Sequence, residues 1–238
     1  MYMSIQNDIN AKMRAILIDW LVEVHMKFRL VPETLYLCVN IIDRYCKLVQ
    51  VRRSKLQLVG VTALLIACKY EEIYPPEVRD CVYITDRAYQ SNEVLDMEQD
   101  IVHKLGFRIT VPTAYPFLQR FFTMVKASKI VQHASSYYME RTLQEHDMLK
   151  YRPSEICASA IVLALNHKQF AEEDGRTLNQ RRIFMVRTMY SLLLSNQFSS
   201  YLQYFNTHKL FLSPKSWSST LSLMRMYSLN ARGTLLEK

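Results

Sequence analysis

Thirteen consecutive residues, Met13-Arg-Ala-Ile-Leu-Ile-Asp-Trp-Leu-Val-Glu-Val-His25, restrict the fold of this chain more than any other stretch. Met13, Ile16, Leu17, Trp20 and Val24 recur at helical spacing. Ile18, Leu21 and Val22 add a second apolar strip beside the first. A surface helix shows one apolar stripe, whereas a helix that is apolar nearly all round is buried or has a partner. Only Arg14, Asp19 and Glu23 interrupt this one with charge. The helix is therefore expected either at the centre of a bundle, or with one face in a core and the other offered as a binding surface.

The rest of the chain points the same way. It has 238 residues, 50% hydrophobic and 22% charged, with only four glycines. Such a composition buries a core readily, and scarce glycine with little alternation argues for an all-α fold. Cys38, Cys46, Cys68, Cys81 and Cys157 sit mostly in apolar helical runs, and no Cys-x-x-Cys occurs. A reducing cytoplasmic or nuclear compartment is the simplest expectation. The longest apolar run, Leu58 to Cys68, falls well short of the roughly 20 residues of a membrane span. No charged-then-apolar signal segment opens the chain. No membrane partner is expected.

Charge is unevenly distributed. Residues 176–238 carry nine Lys or Arg and one acid, Glu237, and account for the whole net charge of +8. Residues 1–175 are neutral. A basic, Ser-rich tail can touch phosphates, but a solvated chain end explains it as well.

Punctuation divides the first half into five helices. The first covers about 11–28. Pro32 suits the first turn of a second helix, whose inner face is Leu35, Tyr36, Val39, Ile42 and Tyr45. Ser54 is expected to cap a third helix that runs to Lys69 and Tyr70 and is stopped by Pro75-Pro76. Ser91 is expected to cap a fifth, ending at Gly106, which is placed like a helix C-terminal glycine. The second half echoes the first at an offset of 97 residues. Trp20-Leu21 falls on Phe117-Leu118, and Asp43-Arg44 on Glu140-Arg141. Thr62-Ala-Leu-Leu-Ile-Ala67 falls on Ser159-Ala-Ile-Val-Leu-Ala164. The organisation expected is two tandem helical bundles joined near 107–112, with Pro112 starting the second.

Signatures of catalysis are absent. Four scattered glycines make no phosphate-cradling loop. No His-Glu-x-x-His and no Cys/His set with zinc spacing occurs. The six histidines are dispersed, and no pair of acids is spaced as a general acid and base. A non-catalytic binding module without metal or cofactor is the expectation.

Four motifs then identify a family. Met13 to His25, Tyr36-Leu-Cys-Val-Asn-Ile-Ile-Asp-Arg-Tyr45, Lys55-Leu-Gln-Leu-Val-Gly60 and Ala67-Cys-Lys-Tyr-Glu-Glu-Ile-Tyr-Pro-Pro-Glu77 closely resemble the cyclin box, in order and spacing. Tyr2-Met-Ser and Asp8-Ile-Asn10 resemble the approach to the box in B-type, G2/mitotic cyclins. The resemblance covers about 2–166. It implies two five-helix cyclin boxes, at 1–106 and 107–205, the second divergent after about 170, followed by a basic tail at 206–238. It also implies a regulatory subunit, not an enzyme, that activates a cyclin-dependent protein kinase for G2/M progression in cytoplasm and nucleus. The chain opens at the box, so the destruction segment that precedes it in mitotic cyclins is not expected here.

The resemblance assigns residues one by one. Arg14 and Asp43 match an internal ion pair; burying either charge unpaired is costly, so pairing is also the physical expectation. Lys69 and Glu98 match the two charges that grip the kinase αC helix. Tyr70, where Phe is common, matches the apolar pocket beside them together with Ile73, Val102 and Phe107. Met13, Ile16, Leu17, Trp20, Glu23, Leu56 and Gln57 resemble the patch that docks Arg-x-Leu segments of substrates and inhibitors. There Leu fills the cleft and Glu23 pairs with the arginine. A paired-box transcription factor of the TFIIB type, which binds DNA, is the rival reading. The neutrality of residues 1–175, the lack of a zinc ribbon and the kinase-gripping residues argue against it. A cyclin with an impaired second box is a third reading.

Overall fold

The computed structural model describes residues 1–166. The divergent part of the second box after about 170 and the 206–238 tail lie outside them. Every regular element among the described residues is helical: α1 Ala11–Phe28, α2 Pro32–Leu48, α3 Leu56–Glu71, α4 Val78–Ile84, α5 Ser91–Lys104, α6 Ala114–Val125, α7 Lys129–Gln144 and α8 Pro153–Asn166. Short 3₁₀ turns occupy Met3–Ile5, Arg53–Lys55 and His146–Lys150.

Local chemistry sets the ends. Asn10 caps α1 by accepting from the Met13 amide at 3.0 Å. Pro32 occupies the first turn of α2, as expected. Two expected caps are corrected. Ser54 sits inside the 3₁₀ turn that leads into α3 and does not cap it. Ser91 is the first residue of α5, whose cap is a reciprocal box between Gln90 and Glu93. Gly106 ends α5 with φ +60°, the left-handed conformation that glycine adopts without a Cβ clash.

Two compact units result. The first comprises Met1–Phe117 and Arg141–Pro153. Its centre is α3, not α1. All residues from Leu58 to Cys68 are buried, and α3 packs against α1, α2, α4 and α5. Gly60 permits the approach of α1: a Cβ there would stand 2.7 Å from Leu17 Cδ1. On α1 the strip expected to be surplus is mostly core. Ile18 and Leu21 are fully buried, and Trp20 is half-buried against two core clusters. Only Ile16, 60% exposed, is a large apolar side chain left to solvent on this helix. The N-terminal residues are tied down along the end of α2. Gln6 Nε2 donates to the Cys46 and Val49 carbonyls, Gln6 Oε1 accepts from Val51 N–H, and Asp8 pairs with Arg53.

The second unit contains Leu118–Glu140 and the chain from Ser154 on. Its described core holds Leu118, Phe122, Val131, Tyr138, Met139 and Cys157, with the α8 residues Ala158–Leu165. The 97-residue offset pairs α1 with α6, α2 with α7 and α3 with α8. Leu21 and its echo Leu118 are both fully buried, as are Thr62 and its echo Ser159.

Candidate functional site

Arg14 on α1 is 2% exposed and reaches Asp43 on α2 through two parallel hydrogen bonds, Nε to Oδ1 at 2.7 Å and Nη2 to Oδ2 at 2.8 Å. This pairing is the one expected. Its other members carry no local sequence signal. Tyr2 donates its hydroxyl to Asp43 Oδ1 at 2.7 Å, and Arg14 Nη1 donates to the Leu143 and Gln144 carbonyls at 2.8 and 3.3 Å. Those carbonyls end α7, where a cation is favoured. Burial disfavours the Arg14 charge, but Asp43 and Tyr2 outweigh it and the guanidinium pKa is raised. Burial, reinforced by Asp43, likewise pushes the Tyr2 hydroxyl far above its ordinary range.

Lys69 and Glu98 meet although 29 residues separate them. Lys69 Nζ donates to both Glu98 oxygens, at 2.7 and 2.8 Å. Lys69 ends α3 and Glu98 lies mid-way along α5, and the packing of these helices sets the distance. The Lys69 side chain is 48% exposed and that of Glu98 18%, so the pair lies at the surface. Large apolar groups surround it in sequence and stay in solvent: Tyr70, Ile73 and Phe107 are exposed, and Val102 is half-buried. Phe107 holds φ +60°, a costly conformation for a bulky residue. The turn is braced by Phe107 N–H to the Val102 carbonyl, by Arg44 Nη2 to the Arg108 carbonyl and by an edge contact between Phe107 and His103. This hydrogen-bonded turn displays an aromatic ring to water. Tyr70 hydrogen-bonds Thr110 at 2.5 Å. Ile73, 86% exposed, is followed by Tyr74, 91% exposed, which the sequence reading did not include.

The second group divides into floor and rim. Leu17 and Leu56 are each 6% exposed, in contact with the core, and cannot be grasped from outside without displacement. Met13, Trp20 and Gln57 are half-buried, and Ile16 and Glu23 are exposed. Buried leucines under half-buried Met and Trp make an apolar floor, and Glu23 further along α1 is an exposed acid. Sequence reasoning missed Tyr83 at the end of α4. It is 67% exposed, and Lys27 of α1 lies over its ring, Nζ 5.6 Å from the centroid. The i, i+4 relation of Glu23 and Lys27 was readable; the meeting with Tyr83 was not.

Among the described residues no group of His, Cys, Asp and Glu is placed to hold a metal ion. The five cysteines are free and buried. No helix there is long and apolar enough to cross a membrane.

Two tandem all-helical domains with this surface define a class of paired-box proteins, and comparison identifies the family. Residues 1–110 match the cyclin N-terminal domain and residues 112–204 the cyclin C-terminal domain. The chain belongs to the cyclin family. Cyclin-B2-1 of Oryza sativa subsp. japonica is 54% identical over 163 residues, 68% of this chain and 39% of that protein. Cyclin-B1-3 of Arabidopsis thaliana is 53% identical over 164 residues, covering 69% and 40%. G2/mitotic-specific cyclin-1 of Medicago sativa subsp. varia is 50% identical over 163 residues, covering 68% and 38%. The chain thus spans about two fifths of the length of these curated B-type relatives. A viral cyclin from herpesvirus saimiri shares the fold with a TM-score of 0.63 at 23% identity, over 78% of this chain and 86% of that one.

Proposed function

We infer that this chain is the regulatory subunit of a cyclin-dependent protein kinase, with no chemistry of its own. The observation that carries this reading is the surface charge pair Lys69–Glu98 with exposed Tyr70, Ile73 and Phe107 around it. Water-exposed aromatics beside a half-exposed ion pair bury little apolar area in the isolated chain, but they suit a partner helix. The ammonium has three donors and the carboxylate several acceptor sites, so together they serve both polarities of a partner's backbone. Docked there, a kinase αC helix is held inward. That completes the kinase Lys–Glu pair which positions ATP phosphates, and it favours an open activation loop. The shift toward the active kinase equals the difference in affinity for its two states.

The naming of relatives as B-type and G2/mitotic-specific supports a role at G2/M. Free, buried cysteines suit cytoplasm and nucleus. The boxes are taken as 1–106 and 107–205, with 206–238 as tail. Arg-x-Leu substrates or inhibitors would dock over Met13, Leu17, Trp20 and Leu56, with arginine at Glu23.

The test is Lys69→Ala with Glu98→Ala in the full chain. An exposed pair contributes about 0–1 kcal/mol to stability, so the fold should survive. Hot-spot truncation costs a complex about 2 kcal/mol or more, so kinase pull-down and histone phosphorylation should collapse. Normal activation by the double variant would overturn the reading.

A further inference from the structure

We propose that the docking groove on α1 selects Arg-x-Leu segments that carry an acidic residue one to three positions before the arginine, and that Lys27 is the selecting side chain. The proposal rests on the docking role assigned to Met13, Leu17, Trp20 and Glu23 above. Along α1 the apolar floor at Met13 and Leu17 comes first, then exposed Glu23, then exposed Lys27. A helix rises about 1.5 Å per residue, so Leu17 and Glu23 stand roughly 9 Å apart along the axis, and Lys27 about 6 Å further on. An extended peptide advances about 3.3 Å per residue. With its leucine on the floor and its arginine at Glu23, the residues reaching Lys27 are those just before the arginine.

Lys27 is not used up within the chain. It makes no ion pair with Glu23 among the described residues, although the i, i+4 spacing allows one. Instead its ammonium lies over the ring of Tyr83, itself two-thirds exposed. Resting on an aromatic face holds the cation in place with most of its hydrogen-bond donors still open. The exposed Lys27 therefore makes its position cationic, and the exposed Glu23 makes its own anionic. A bound segment of matching polarity reads acid, then arginine, then leucine.

The experiment measures fluorescence anisotropy of three labelled peptides on the full chain. They share one Arg-x-Leu core and differ only in Asp, Ala or Lys two positions before the arginine. The acidic peptide should bind roughly two- to fivefold tighter than the lysine peptide, the range of an exposed charge pair. Lys27→Glu should reverse that order while leaving the alanine peptide within about twofold. Equal affinities for the three peptides, or an unchanged order in Lys27→Glu, overturn the inference while leaving the groove in place. If Trp20→Ala with Met13→Ala does not weaken the alanine peptide, the docking role of the groove falls as well.

Discussion

Replacing Asp43 by Ala should destabilise the first unit far more than any exposed charge change. The structure supplies the magnitude. Arg14 is 2% exposed and two of its hydrogen bonds end on Asp43. Removing the carboxylate leaves a guanidinium buried without its counter-charge, which costs about 3–5 kcal/mol. The Tyr2 hydroxyl loses its acceptor in the same step. A chain of this size loses about 2–4 °C of Tm per kcal/mol, so the midpoint should fall by roughly 6–20 °C. Trp20 packs half-buried against the core of this unit. Its fluorescence during urea unfolding, in a Trp217→Phe background, reports this unit directly. Replacing the pair by apolar residues, Arg14→Met with Asp43→Leu, often restores stability in buried pairs. Here the rescue should be partial, because the Leu143 and Gln144 carbonyls also lose the Arg14 donor. Each orphaned buried group costs about 1–3 kcal/mol. Adding Tyr2→Phe should recover part of the remainder. A loss below about 1 kcal/mol for Asp43→Ala, the value of an exposed pair, would refute the view that burial makes this network costly to break.

Other perturbations separate core from surface. Gly60→Val places branched carbons where Leu17 already stands; overpacking of about 1–3 kcal/mol should appear as a lower urea midpoint, and an unchanged midpoint would show that α1 can move away freely. Lys69→Glu sets two acids side by side at the surface and should leave the midpoint within about 1 kcal/mol of the parent while abolishing kinase pull-down; retained capture would contradict the proposed grip. Burial holds His25, His133 and His146 below their ordinary pKa of 6.5. The unfolded chain then binds protons that the folded chain refuses, so stability is full above about pH 6.5 and is lost as pH falls through the depressed folded values. His25 donates Nε2–H to the Val31 carbonyl at 2.9 Å, and His25→Gln should flatten the decline between pH 7.5 and 5.5; an identical slope in the variant would assign the effect to other groups.

Much of this architecture was legible in the sequence, because helix-forming signals are local. Apolar spacing set α1 nearly to the residue and put Leu35, Tyr36, Val39, Ile42 and Tyr45 on the buried face of α2, Pro32 opened α2, and Gly106 closed α5 with a left-handed turn. The capping serines were misread for an equally local reason: Gln90 with Glu93, and a 3₁₀ turn at Arg53–Lys55, competed for the same helix starts. The 97-residue echo was readable because repeated helices repeat their buried positions.

Periodicity by itself fixed which residues of α1 are apolar, and the resemblance to the cyclin box assigned the Arg14–Asp43 pair, in keeping with the cost of burying either charge alone. It did not fix which apolar side chains stay in water. Ile16 and Ile18 differ by two positions and carry the same side chain, yet one is 60% exposed and the other fully buried. The packing of α1 against α2 and α3 made that choice. Tertiary structure alone also brought the Leu143 and Gln144 carbonyls to Arg14, Glu98 to Lys69 and Tyr83 under Lys27. Hydrophobic burial is non-directional and scales with area, so a sequence pattern shows that a face seeks cover without naming what covers it. The partners of long-range polar contacts are set once helices far apart in sequence have packed.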